Sequence, residues 1–89
     1  MNKNLLLQLR RQAHHLKSIV IIGNKGLTSA VQLEIERALL AHELIKIKIN
    51  AIKSERQKMI AKICQQRRAE TVQTIGNIAV IYRKNEQEN

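Results

Sequence analysis

Between Ile22 and Ser29 the chain reads Gly23-Asn24-Lys25-Gly26-Leu27-Thr28, residue types whose spacing suits an anion. Gly23 and Gly26 lack Cβ, so a phosphate could approach the loop main chain closely, and Lys25 adds a point charge there. Thr28 can N-cap the amphipathic helix that follows, whose unpaired N–H groups and positive dipole end also favour negative charge. A tight turn with no ligand would use the same residues, so the G-x-x-G spacing decides nothing by itself. Other chemistry is sparse. His14 and His15 are adjacent and would diverge on a helix, His42 is the remaining histidine, and Cys64 is the one thiol, so no metal-ligand set is expected. No acid–base pair or activated nucleophile is visible, which argues against an enzyme, a cofactor or a small-molecule substrate.

Charge supplies the context. Sixteen Lys and Arg against seven Asp and Glu leave +9, unevenly spread: +5 over residues 1–28, −2 over 29–43, +7 over 44–68 and −1 over 69–89. Such excess and segregation point to a polyanion, although solubility alone accounts for part of it. Tyr82 is the single aromatic residue. A stacking platform of the RRM or OB type is therefore excluded, and nucleic acid would be held mainly by backbone contacts and shape.

The length of 89 residues implies one small domain, expected to bury roughly 60% of its unfolded surface. No apolar run approaches the ~20 residues of a membrane span, and no secretory signal is apparent. The lone Cys64 cannot form an internal disulfide, which suits a reducing cytoplasm.

Periodicity supplies the elements that would position the loop. A helix is expected over 3–16, with Leu5, Leu6, Leu9, Ala13 and Leu16 on its apolar side and Lys3, Arg10, His14 and Lys17 in a basic stripe. The β-branched run Ile19–Ile22 reads as a short buried strand. A second helix spans 29–42, burying Val31, Ile35, Ala38 and Leu39 with Glu34, Glu36 and Arg37 outside. Residues 44–49 alternate, so Ile45, Ile47 and Ile49 face a core while Lys46 and Lys48 share the other side. Ser54 and Gln57 match a capping box starting a third helix near Glu55 that runs to Arg68, with Arg56, Lys58, Lys62, Arg67 and Arg68 largely outside. Strands at 71–75 and 78–82 flank a Gly76-Asn77 turn, and residues 85–89 read as a frayed polar tail after a domain of 1–84. The order is αβαβαββ, an α/β (α+β) domain. Its second and third helices would lie on one face of a four-stranded mixed sheet, leaving the lysine face open unless the first helix covers it.

The segments HHLKSIVIIGNKGLT, EIERALLAHELIKIKI and VQTIGNIAVIYR resemble the CRM (chloroplast RNA splicing and ribosome maturation) domain, in its free-standing bacterial YhbY form. The resemblance covers about Leu5 to Arg83. It implies a fold similar to the C-terminal domain of translation initiation factor three. It also implies RNA as partner, probed through the G-x-x-G loop, in precursors of the large ribosomal subunit. Carried over by position, the RNA-contacting residues are Gly23, Asn24, Lys25, Gly26, Leu27 and Thr28, with Lys46, Lys48 and Arg83; the basic stripe adds Arg10, His14 and Lys17. Two departures stand out: Ser18 replaces a frequent proline, and Arg67-Arg68-Ala69 replaces the glycine that commonly closes the third helix. A monomer is the expected state. The competing function is a protein-interaction module whose Glu34, Glu36 and Glu43 side docks on a basic ribosomal protein, with RNA contact secondary.

Overall fold

The computed structural model describes residues 1–86, so 87–89 of the expected tail lie outside the described residues. The chain forms α1 (Lys3–Ala13), β1 (Ser18–Ile22), α2 (Ser29–His42), β2 (Leu44–Ile49), α3 (Lys53–Arg67), β3 (Glu70–Ile75) and β4 (Ile78–Tyr82), the expected order. The strands lie β1-β2-β4-β3, with β1 parallel to β2 and the other two pairs antiparallel. Helix α3 carries the chain to the far edge, and the turn at Gly76 (φ +54°) returns β4 into the slot beside β2.

One sheet face holds the main core. Val20, Ile22, Ile45, Ile47, Ile49, Ala79 and Ile81 pack beneath Ile35, Leu39 and Ile63 from α2 and α3. Each fully buried Ile or Leu side chain contributes about 1.5–3 kcal/mol, so the alternation along β2 decides which way the sheet faces. On the opposite face Leu9 and Ala13 of α1, with Leu5 and Leu6 beside them, pack on Leu44, Val72, Val80 and Tyr82. With 11 residues, α1 is roughly 16 Å long, and its contacts lie over one half of the sheet. Edge strand β1 stays outside this cover. Val20 and Ile22 are buried, but Ile19 and Ile21 are 45% and 59% exposed, so the expected fully buried run is a one-sided strand.

Local signals were overridden in three places. Helix α1 ends at Ala13, and Leu16, expected on its apolar side, lies beyond it and is exposed. Helix α3 begins at Lys53 with Ile52 as N-cap and no side-chain capping bond, so the Ser54–Gln57 capping box does not form. Bonds from Arg56, one of them tertiary, hold the earlier start. Arg56 Nη1 donates to Ala51 O (2.6 Å) and Asn77 Oδ1 (3.0 Å), while Arg56 N–H closes the first turn on Ile52 O (2.9 Å). Arg56 is thus half-buried rather than outside. Asn85, expected in a frayed tail, docks instead: its Nδ2 donates to Leu39 O (2.9 Å) and Leu40 O (3.0 Å), and its N–H to Glu43 Oε2 (2.7 Å). It caps the C-terminus of α2 from a distance, satisfying carbonyls that a helix end leaves unpaired.

Arg68 takes the left-handed C-cap position of α3 (φ 55°, ψ 40°), within the Arg67-Arg68-Ala69 segment that departs from the glycine common in the resembled domain. A side chain there costs about 1–2 kcal/mol relative to the right-handed region, partly offset by glycine's larger unfolded-state entropy. Arg68→Gly is expected to stabilise the fold by roughly 0.5–1 kcal/mol, raising the melting temperature by several degrees in a thermal scan. A lower melting temperature would show that the Arg68 side chain makes a compensating contact.

Candidate nucleic-acid interface

The glycine loop leaves the C-terminal end of β1, where parallel β2 also ends. Asn50 N–H donates to Ile22 O (2.9 Å) and Ile49 N–H to Asn77 O (2.7 Å), which draws the loop, the β2–α3 connection and the β3–β4 turn to one end of the sheet. Within the loop Gly26 N–H donates to Gly23 O (3.0 Å) and Thr28 N–H to Gly26 O (3.1 Å). Those two amides are therefore spent internally, which shortens the expected row of bare N–H groups. Among the described residues none accepts from the N–H groups of Asn24, Lys25, Ser29 or Ala30. Gly26 needs its identity for conformation (φ +70°), whereas a Cβ built on Gly23 would meet nothing within 4 Å. Open space above Gly23 and exposed Asn24 and Lys25 leave the loop's outer surface accessible. Leu27 and Thr28 act inward: Leu27 packs on the main core, and Thr28 Oγ1 accepts from Val31 N–H (3.2 Å) as the cap of α2. They position the loop.

Beside it, Lys48 is exposed and pairs in register with Ile21, while Lys46 is half-buried next to the end of α1. His14 and Lys17 border the same sheet face, each lining a groove that includes Lys46. Arg10 is exposed but directed along β3, its Nε donating to Val72 O (3.0 Å). Lys53, which precedes the helix start expected near Glu55, stands at the loop end as the first residue of α3. The signal for it would have been the tertiary role of Arg56, invisible in a local window.

Arg83 does not join this surface. Its guanidinium forks onto Glu36 (Nη1–Oε1 and Nη2–Oε2, both 2.8 Å), with further bonds to Arg67 O (3.1 Å) and Asn85 Oδ1 (3.3 Å). The hydrogen bond from Arg83 and the charges of Arg83 and Arg67 hold the Glu36 carboxyl below its ordinary value near 4.5 against the opposing effect of burial. Arg67, expected outside, is half-buried between Glu36 (3.6 Å) and Gln32 Oε1 (3.3 Å). This cluster sits past the end of β4 opposite the Gly76 turn, so Arg83 is held in an ion pair away from the glycine loop. Among the described residues no group of three or more His, Cys, Asp or Glu could hold a metal, and no helix is long and apolar enough to cross a membrane.

The family model of the CRS1 / YhbY (CRM) domain matches residues 1–83. The chain belongs to that family. This CRM domain is 43% identical over 83 residues to a Pseudomonas aeruginosa protein named a probable RNA-binding protein, covering 92% of this chain and 80% of the relative. It is 46% identical over 80 residues to a Haemophilus influenzae RNA-binding protein, covering 89% and 81%. The solution structure of a hypothetical Staphylococcus aureus protein matches the CRM domain with a TM-score of 0.81 at 27% identity, over 100% of this chain and 94% of that one.

Proposed function

We propose that this CRM domain is a non-catalytic RNA-binding protein that holds structured rRNA in precursors of the large ribosomal subunit, acting in the cytoplasm as a monomer. The observation that carries the proposal is the loop end of the sheet. An open Gly23, exposed Lys25 and unpaired α2 N–H groups stand at the end of the sheet where exposed Lys48 pairs in register with Ile21. Phosphate oxygens would accept from the main chain, and Lys25, Lys46 and Lys48 would neutralise the strand. Contacts of this kind position RNA without reading its sequence. The competing protein-docking function is weakened because Glu36 is committed to Arg83 and a Glu43 oxygen accepts from Asn85, leaving exposed Glu34 from that acidic trio.

Crosslinking in cells, with sequencing of the bound RNA and mapping of the crosslinked peptides, tests this directly. The expected result is enrichment of large-subunit rRNA precursors with crosslinks on the 23–28 loop and on β2. Crosslinks confined to the outer side of α2, or a protein partner retained after RNase digestion with no enriched rRNA, would overturn it.

A further inference from the structure

The half of the sheet that α1 leaves uncovered is apolar as well as basic. Register places Ile21, Lys48, Ile78 and Ile75 side by side, one from each strand, in a row across the whole sheet. Ile21 and Ile75 are 59% and 63% exposed. Next to the row, the end of α1 overhangs a groove of about 150 Å³ lined by His14, Lys46, Gln73, Ile75 and Ile78 among others. That is below the ~300–1,000 Å³ of small-molecule pockets, and it suits the edge of a planar group better than a metabolite.

We infer that this strip receives unpaired nucleobases of the same RNA whose phosphates lie on the glycine loop; the inference rests on the RNA-binding function proposed above. Charge identifies the occupant. Lys46 and Lys48 lie within the apolar surface and Lys17 borders it, while the carboxylate nearest in register, Glu70, is opposite Tyr82 at the far row and meets the N-terminal ammonium at 3.5 Å. The partner must therefore be apolar and anionic at once. A nucleotide strand has both properties. A purely apolar peptide or a second copy of this face would strip water from the lysines without pairing them. An RNA duplex keeps its bases stacked inside and could not use the isoleucines. Continuity fits too, since Ile21 precedes Gly23 by two residues and a strand leaving the loop meets the row at once. Adjacent strands stand about 4.8 Å apart, so the row spans roughly 14 Å, and a four-stranded RRM sheet seats two or three bases on its aromatics. Aliphatic contact here gives the same placement with weaker, sequence-tolerant grip.

The test compares wild type, the double variant Ile21→Ser/Ile75→Ser and Lys25→Glu on an unpaired A/U oligoribonucleotide and on a blunt RNA duplex. Both isoleucines are mostly exposed, so thermal scans should show the double variant folded. Its affinity for the unpaired strand should fall about five- to tenfold, with duplex binding and the salt slope unchanged, because apolar area and no cation is removed. Crosslinking of 4-thiouridine RNA to wild-type protein, independent of the variants' folding, should label peptides containing Ile21 or Ile75. Equal losses on strand and duplex, or no loss while Lys25→Glu still weakens binding, would overturn the base-seating strip and leave the loop function standing. Loss from the isoleucine variant alone would support the strip and reject the loop. A wild-type dimer that dissociates on Ile→Ser substitution would assign the face to self-association instead.

Discussion

Lys25→Glu is expected to weaken RNA binding at physiological salt by about 10–100-fold, the range of a lost charge-assisted phosphate contact plus added repulsion. The loss should be uniform across RNA sequences, and the log–log salt slope, about −3 for ~4 phosphate contacts on a single strand, should become shallower by roughly 1. Gly23→Ala separates loop chemistry from loop folding. Its Cβ meets no protein atom within 4 Å, so the melting temperature should hold while affinity falls several-fold, because the methyl occupies the space through which a phosphate would approach. Gly26→Ala should instead lose stability by about 1–2 kcal/mol through its positive φ. Anisotropy titrations across a salt series, with thermal scans of the same samples, check all three. Unchanged affinity in both Lys25→Glu and Gly23→Ala would remove the loop from the interface.

The second large effect concerns stability. Glu36→Ala is expected to cost about 2–3 kcal/mol, because it leaves the guanidinium of Arg83 and that of Arg67 without their shared carboxylate. At 4–8 °C per kcal/mol for a domain of this size, the melting temperature should drop by roughly 10–20 °C. The pH dependence follows from the depressed Glu36 pKa. A carboxyl bound more weakly to protons when folded stabilises fully above its unfolded value, near 4.5. That contribution is lost as pH falls through the lower folded value. The raised Arg83 pKa acts only at alkaline extremes, where stabilisation present below its ordinary value is lost as pH rises through a higher folded value. Wild type should therefore lose stability on acidification through that carboxylate window more steeply than Glu36→Gln. Parallel pH–melting curves for the two proteins would show that the ion pair contributes nothing. RNA affinity of the folded variants should not change, since the cluster lies at the opposite end of the sheet from the loop.

Most of the fold was legible because its signals are local and periodic. Period-two alternation over Leu44–Ile49 and helical spacing over Ser29–His42 name both the element and the side it buries. The run Ile19–Ile22 was less informative, since four apolar residues in sequence do not say whether one face or two will be covered. Only the reach of α1 settles that. The Ser54–Gln57 pattern failed for a related reason: Arg56 gains bonds to Ala51 and Asn77 that a local cap cannot match.

The sequence by itself determined that the protein carries a large positive excess and one aromatic residue, and that a glycine loop leads into Thr28, a residue suited to cap the next helix. Which cations stay available was decided in three dimensions. Arg56, Arg67 and Arg83 look in sequence like Lys25 and Lys48, yet each is bonded to groups on other segments. A guanidinium's partner depends on what the fold brings within about 3 Å, and for Arg83 that is a carboxylate 47 residues away.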